Sequence, residues 1–196
     1  MQNLDLLSLG KVLITGGTGF IGSNICELLV RKNYKVKIFD NNSRGSIDKI
    51  KKIKKKIKFI KGDIRNKILL NKALKKTDAV IHLAYKRRSG QPLDHFFDEN
   101  QNVQMAYNVL RSSYDSGVDR VVIASSNHAS DFYEHALIHG RSLEMLDPYR
   151  LALSDNFYGW AKASYEHLGF LFACGGMGEG GDGLSENLVA GNLDTS

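Results

Sequence analysis

Cysteine and long apolar runs are scarce in this sequence of 196 residues. The two cysteines, Cys26 and Cys174, lie far apart, so they form no disulfide framework and fit a reducing cytoplasm. No apolar run reaches the roughly 18 residues of a membrane-spanning helix, and the first residues lack the features of a signal peptide. Hydrophobic residues make up 42% and charged residues 24%, which excludes a disordered or collagen-like chain. We therefore expect a globular, cytoplasmic protein.

The net charge of +6 suggests nucleic acid as a partner, but the positions of the charged residues argue against it. Eight of the 27 basic residues lie within 49–61, where isoleucines recur at near-helical spacing. This pattern predicts an amphipathic helix with a solvated lysine face rather than a phosphate-binding patch. Because no known nucleic-acid motif accompanies the lysines, we predict no nucleic-acid partner.

Short apolar segments alternate with amphipathic ones along most of the chain. The apolar segments, which predict buried strands, are 11–15, 35–39, 57–60, 78–83 and 120–124. Strands that are apolar throughout and separated by helices form a parallel sheet covered on both faces. With right-handed crossovers, this pattern predicts an α/β doubly wound Rossmann fold over residues 1–174. The glycine-rich remainder, 175–196, is predicted to be a flexible tail.

A glycine-rich turn follows the first predicted strand directly. The segment TGGTGFIG, residues 15–22, places glycines at three-residue intervals where a helix begins. Glycine accepts unusual backbone angles, and the missing side chains let the backbone approach a pyrophosphate. The free N–H groups and the dipole of the helix start favour phosphate binding. We predict that a dinucleotide binds at Gly16, Gly19, Phe20, Ile21 and Gly22.

Carboxylates follow the next two strands and bear on which dinucleotide binds. Asp40 ends the second strand, where its carboxylate can accept hydrogen bonds from both ribose hydroxyls and would repel a 2′-phosphate. NAD is therefore favoured over NADP, although the nearby Arg44 weakens the preference. Asp63 follows the third strand and either accepts a hydrogen bond from the adenine amino group or caps the next helix. The predicted NAD contacts here are Asp40, Asn41, Asp63 and Ile64.

Tyr158 and Lys162 are four residues apart in a predicted helix and therefore share one face. Tyrosine has a pKa of about 10 and is a weak base at neutral pH. A nearby ammonium and an oxidised nicotinamide would both favour its phenolate. Lys162 can also hold the nicotinamide ribose, so Tyr158 and Lys162 are predicted cofactor contacts as well. The strand that ends at Ser125 and Ser126 would bring a hydroxyl to the same crevice. This set predicts proton transfer with a substrate hydroxyl, shared between a serine and Tyr158.

The chain resembles the extended short-chain dehydrogenase/reductases of the NAD-dependent epimerase/dehydratase family. The matching segments, in order, are KVLITGGTGFIGSN, FDNNSRGS, KGDIRN, DAVIHLAY, NVQMAYNVLRSS, GVDRVVIASSNH and YGWAKASYE. They cover about residues 10–173. The resemblance implies that Ser126, Tyr158 and Lys162 form the catalytic triad and that Asn102 supports the active-site architecture. The resemblance also implies cofactor contacts at Leu83 and Ala84.

Subfamily features of the chain point in two directions. FDNNSRGS resembles UDP-galactose 4-epimerases, whereas SSNH at 125–128 resembles uronate dehydrogenases. In both chemistries Tyr158 accepts a hydroxyl proton while the sugar carbon gives a hydride to NAD. An epimerase returns that hydride to the opposite face, and a dehydrogenase releases NADH. We expect a nucleotide-sugar 4-epimerase, with a uronate or sugar dehydrogenase as the alternative.

Family members continue beyond the Tyr-Lys helix into another strand and a C-terminal substrate subdomain, and no such pattern follows residue 173. Part of the nucleotide-sugar site would then be missing, so a catalytically silent NAD-binding module is the alternative of another class. The resemblance also implies a homodimer through helices 98–116 and 152–173. His135 and His139 have metal-ligand spacing but no third ligand beside them, and we predict no metal.

Overall fold

The computed structural model describes residues 10–87, 90, 95–142, 145–147 and 150–174. Five strands alternate there with helices: β1 (Lys11–Thr15), β2 (Lys35–Asp40), β3 (Ile57–Lys61), β4 (Ala79–His82) and β5 (Arg120–Ile123). The helices are α1 (Phe20–Arg31), α2 (Lys67–Leu74), α3 (His95–Asp115), the single turn α4 (Asp131–Tyr133) and α5 (Phe157–Ala173). None of the described helices is long and apolar enough to cross a membrane. The predicted tail lies outside the described residues, and the predicted limits of the domain stay predictions.

All five strands are parallel, in the order β3-β2-β1-β4-β5. β1 lies at the centre, and its Val12 pairs with Val36 of β2 on one side and Ala79 of β4 on the other. After β3 the chain crosses over β1 to form β4, so the strand order reverses at β1. Such a reversal opens a crevice at the carboxyl ends of the strands. The predicted doubly wound α/β fold is confirmed.

Two apolar cores cover the two faces of the sheet. Leu13 and Phe39 belong to the core formed with α2, α3 and α5. Ile14 and Ile38 belong to the core beneath α1, where they meet Cys26. Neighbouring residues of one strand thus supply opposite cores, as the two-residue period of a strand requires. Burial on both faces explains why the central strands β1 and β4 are mostly apolar, whereas β3, at the edge of the sheet, carries the exposed Lys58 and Lys61.

The lysine-rich segment differs from its prediction. It forms two short 3₁₀ turns, Ile47–Ile50 and Lys54–Lys56, instead of an amphipathic α-helix. Ile50 and Ile53 are buried in the core beneath α1, so the isoleucine spacing does indicate core contacts. An α-helix would also have placed lysines four residues apart on one face, and such like-charge pairs are destabilising.

The two long helices that pack together also begin at other residues than predicted. α5 begins at Phe157 rather than at residue 152, because Asn156 adopts an extended backbone and caps the helix. Its Oδ1 accepts a hydrogen bond from the Gly159 N–H at 2.9 Å. α3 begins at His95, three residues before the predicted start.

Lys37 links β2 to the end of α2. Its Nζ donates hydrogen bonds to the carbonyl oxygens of Ala73, at 3.1 Å, and Lys75, at 2.5 Å. It also donates to Thr77 Oγ1 at 2.9 Å. The last carbonyls of a helix have no partner within the helix and carry its negative dipole end. The ammonium therefore caps α2, although burial lowers the pKa of Lys37.

Replacing this ammonium tests the link between β2 and α2. Lys37→Met keeps the length of the side chain but leaves those carbonyls without their charged donor. We expect the free energy of unfolding to fall by about 1–3 kcal/mol, measured by urea denaturation. Lys35→Met, at an exposed position of the same strand, is the control and should change it by less than about 0.5 kcal/mol. Equal losses in the two variants would contradict the capping role.

Candidate active site

The turn between β1 and α1 is shaped by two glycines. Gly16 has a φ of 74°, in the left-handed region that favours glycine. Its N–H donates to the carbonyl oxygen of Phe39 at 3.1 Å, which ties the turn to β2. At Gly22 an added Cβ would lie 2.3 Å from the Gly16 carbonyl oxygen. The fold of the turn therefore requires both glycines.

Gly19, unlike Gly16 and Gly22, is not required by the fold of the turn. Its φ of −70° and ψ of 178° are open to any residue, and an added Cβ would come only within 3.2 Å of the Gly16 carbonyl oxygen. Gly19 is the N-cap of α1 and lines a cavity, with no side chain capping the helix. A phosphate group can approach the free N–H groups of α1 here because no side chain intervenes. This geometry fits the pyrophosphate of a dinucleotide.

The cavity has a volume of about 720 Å³ and runs along the carboxyl edge of the sheet. Every residue predicted to contact the cofactor lines it: Gly16, Gly19, Phe20, Ile21, Gly22, Asp40, Asn41, Asp63, Ile64, Leu83, Ala84, Tyr158 and Lys162. Its described lining includes neither of the other two predicted catalytic residues, Ser126 and Asn102. Residues that were not predicted also line it, among them Lys49, Arg65, Tyr85 and Lys86, and so does Ser125, one of the two serines expected at this crevice.

The buried carboxylate of Asp40 holds the glycine-rich turn in place. Its Oδ2 accepts a hydrogen bond from the Thr18 N–H at 3.0 Å, and its Oδ1 accepts one from the Asn42 N–H at 2.7 Å. A carboxylate has about four acceptor sites, so Asp40 keeps capacity for ribose hydroxyls. Asp40 is thus suited both to shape the turn and to contact a cofactor.

Asp63 is held more tightly by its neighbours. It accepts hydrogen bonds from the Arg65 guanidinium at 2.9 and 2.7 Å and from Asn41 Nδ2 at 3.1 Å. The Arg65 guanidinium keeps the pKa of Asp63 well below its usual range. Asn66, not Asp63, caps α2, since Asn66 Oδ1 accepts the Leu69 N–H at 3.1 Å. The alternative of Asp63 as the cap is therefore wrong, and the adenine contact stays a prediction.

α5 brings Tyr158 and Lys162 to the cavity. Lys162 Nζ donates to the Ala124 carbonyl oxygen at 2.8 Å and lies 5.9 Å from the centre of the Tyr158 ring. Burial lowers the pKa of Lys162 to about 8, while Glu99 acts in the opposite direction. At pH 7 the amine of Lys162 is therefore still mostly in its charged ammonium form. Its positive charge lies beside the ring of the tyrosine that is predicted to transfer the proton.

The two serines after β5 take different places. Ser126 is the N-cap of a 3₁₀ turn, Asn127–Ser130, and its Oγ accepts the His128 N–H at 3.3 Å. Ser125 lines the cavity, and its Oγ donates a hydrogen bond to Glu166 of α5. The structure thus brings Ser125 to the cavity wall, and the catalytic role of Ser126 stays a prediction.

His128 lies beside Tyr158, and Asn102 lies behind the loop after β4. The ring of His128 lies 5.4 Å from that of Tyr158, and its Nδ1 is bonded to Asp131 at 2.8 Å. Asn102 is fully buried, and its Oδ1 accepts the Lys86 N–H at 2.7 Å. Asn102 therefore holds the loop after β4, and its role in the active-site architecture stays a prediction.

A parallel sheet with reversed strand order, a glycine-rich turn and a cavity at the carboxyl edge defines the dinucleotide-binding Rossmann proteins. Within that class, the family described as the NAD dependent epimerase/dehydratase family matches residues 12–169. The chain belongs to this family, whose members are enzymes, as the resemblance in its motifs suggested.

Three similar proteins are each longer than this chain. A UDP-glucose 4-epimerase of Neisseria meningitidis is 32% identical over 126 residues, which are 59% of this chain and 36% of the relative. The UDP-glucose 4-epimerase of Thermus thermophilus in complex with NAD is 25% identical, with a TM-score of 0.69, over 83% of this chain and 50% of that one. A mutated uronate dehydrogenase is 27% identical, with a TM-score of 0.67, over 84% and 54%. The chain thus spans about a third to a half of these proteins.

Substitutions at Gly19 and Gly22 separate cofactor approach from folding. We expect Gly19→Ala to leave the unfolding free energy within about 0.5 kcal/mol but to weaken NAD binding at least about tenfold, because its Cβ stands in front of α1. Gly22→Ala collides with the backbone and should destabilise the fold by about 1–3 kcal/mol. Calorimetric titration and urea denaturation measure the two effects. Unchanged NAD affinity in Gly19→Ala would contradict the position assigned to the pyrophosphate.

Proposed function

We propose that the protein binds NAD and modifies a sugar, with nucleotide-sugar 4-epimerisation as the favoured activity. One observation carries the proposal: a single cavity is lined by the glycine-rich turn, by Asp40 and by the Tyr158–Lys162 pair. Cofactor-binding and proton-transfer residues therefore meet at one edge of the sheet.

The residues present fit NAD at both ends of the cavity. The turn from Gly16 to Gly22 and the start of α1 would hold the pyrophosphate, and Asp40 would hold the adenosine ribose. Lys162 would hold the nicotinamide ribose. NAD supplies a hydride acceptor when it is bound. Arg44 also lines the cavity, but the buried carboxylate of Asp40 favours NAD over NADP.

Tyr158 would act as the proton-transfer residue. Its phenolate accepts the proton of a sugar hydroxyl, which prepares the carbon that carries this hydroxyl for oxidation. Lys162, fixed by the Ala124 carbonyl oxygen, keeps its positive charge beside the ring. Ser126 or its neighbour Ser125 would share the proton with Tyr158.

Two alternatives have support of their own. The similarity to a uronate dehydrogenase structure favours oxidation of a uronate or another sugar, in which case NADH accumulates; an epimerase produces no net NADH. Ser126, a residue of the predicted triad, is not among the described residues that line the cavity, which favours a silent NAD-binding module that binds NAD without sugar turnover. Absorbance of NADH and product analysis over a panel of sugars and UDP-sugars distinguish the three.

We also propose a homodimer and a cytoplasmic location. Tyr107 and Tyr114 of α3 and Phe170 of α5 are exposed on the two helices that the resemblance assigns to the dimer. Burial of such rings in a second copy would remove apolar surface from water. Cys26 and Cys174 are both free thiols, as in a reducing compartment. Light scattering of the purified chain measures the oligomeric state.

Tyr158→Phe tests the proposed chemistry. The substitution keeps the ring but removes the group that accepts the proton, so we expect kcat to fall by about 10²–10⁴-fold, while the dissociation constant for NAD changes by less than about threefold. Tyr34→Phe, at a position packed against the core beneath α1, is the matched control and should keep wild-type kcat. Wild-type turnover in Tyr158→Phe would contradict the assignment.

A further inference from the structure

A buried carboxylate lies behind the wall of the cavity. Glu99 of α3 is 0% exposed, and an ionised carboxylate at such a place is costly unless it is hydrogen-bonded. Its Oε1 accepts the hydroxyl of Tyr85 at 2.6 Å, and its Oε2 accepts Asn102 Nδ2 at 3.1 Å. An apolar side chain would fill the same space without the cost of desolvating a carboxylate. The hydrogen bonds that Glu99 accepts are therefore what sets it apart from an apolar residue at this position.

Those contacts belong to a larger restraint on the loop after β4. Asn102 holds Lys86 by its backbone N–H, at 2.7 Å, and by its carbonyl oxygen, at 3.1 Å. The buried Asp98 pairs with the ammonium of the same lysine. Three polar side chains of α3 therefore hold two successive residues of one loop, and Glu99 holds the first of them, Tyr85.

The ring of Tyr85 faces both proposed catalytic residues. Its centre lies 5.7 Å from that of Tyr158, with the rings at 88° in an edge-to-face arrangement. Lys162 Nζ lies 5.7 Å from the centre of Tyr85 and 5.9 Å from that of Tyr158. Edge-to-face aromatic pairs and ammonium–ring contacts at these distances are attractive. A fixed Tyr85 thereby limits where Tyr158 and Lys162 can move.

We propose that Glu99 and Tyr85 form a positioning unit for Tyr158 and Lys162, in which Glu99 fixes Tyr85 through its hydroxyl and places its carboxylate behind the ring that Lys162 faces. The proposal rests on the proposed function for its effect on turnover. Its electrostatic part, the effect of the Glu99 carboxylate on Lys162, concerns only residues of this chain and requires no bound ligand.

Among the described residues, the titratable groups that face Lys162 come from β4, the loop after it, α3 and α5. They are His82 of β4, Tyr85 of the following loop, Glu99 of α3, and Tyr158 and Tyr165 of α5. Burial lowers the pKa of His82 to about 3 and raises the pKa of Tyr165, so both are neutral near pH 8. Glu99 is the one carboxylate in this set. Removing its charge should therefore lower the pKa of Lys162.

A lysine titration in the unliganded full chain tests the electrostatic part. The Lys162 signal, in protein with ¹³Cε-labelled lysine, is assigned with Lys162→Met and followed by NMR against pH. We expect Glu99→Gln to move its midpoint down by at least about 0.5 pH units, while Glu27→Gln on α1 leaves it unchanged. A midpoint that is equal in wild type and Glu99→Gln overturns the proposal.

Tyr85→Phe tests the positioning part by a conservative change. It keeps the ring and removes only the hydroxyl that Glu99 holds, so it is the variant to rely on where Glu99→Gln does not fold. We expect kcat to fall about tenfold with KM for the sugar nearly unchanged, since the transition state loses an aligned base. Wild-type kcat in folded Tyr85→Phe overturns the positioning role. If the wild-type protein shows no turnover, the proposed function is contradicted. The midpoint of the Lys162 titration then tests the electrostatic part on its own.

Discussion

The approach of α1 to the turn after β1 is the constraint on which the rest of the site depends. A Cβ at Gly22 would lie 2.3 Å from the carbonyl oxygen of Gly16, so the helix can start this close to the strand only because both positions are glycine. The close start directs the N–H groups of α1 towards the carboxyl edge of the sheet. Asp40 fixes the same turn from β2 through the Thr18 N–H. The cofactor end of the cavity is thus built from backbone and needs few side chains.

The other end of the cavity is built differently, from buried polar side chains. Asn102 and Glu99 of α3 hold the loop after β4, and Lys162 of α5 is held by the Ala124 carbonyl oxygen after β5. Each of these groups is buried and satisfied by a partner from another element, which gives the wall its rigidity. A rigid wall suits a site where Tyr158 must meet a substrate hydroxyl at one orientation.

Most of the fold follows from local sequence patterns. Apolar runs with turns between them predict the strands, and the cofactor positions come together because their motif has a fixed place in a βαβ unit. The lysine-rich segment shows the limit of such patterns: spacing indicates that Ile50 and Ile53 are buried, but charge repulsion decides against an α-helix. The start of α5 was predicted too early because Asn156, the cap, lies inside a polar stretch with several candidate caps.

The site is less predictable where long-range contacts decide it. Tyr85 and Glu99 form no motif; they meet because α3 packs across the end of β4. An aromatic residue three positions after the end of β4 was the only local signal for Tyr85. The choice between Ser125 and Ser126 likewise depends on how the chain turns after β5, where the alternation of a strand has already ended.

The central claim is that this cavity is an NAD site, and calorimetric titration of the full chain with NAD and with NADP tests it most directly. The account predicts saturable binding of NAD and clearly weaker binding of NADP, because the buried carboxylate of Asp40 accepts ribose hydroxyls and repels a 2′-phosphate. Absence of NAD binding by the folded chain, or equal binding of the two dinucleotides, would contradict it.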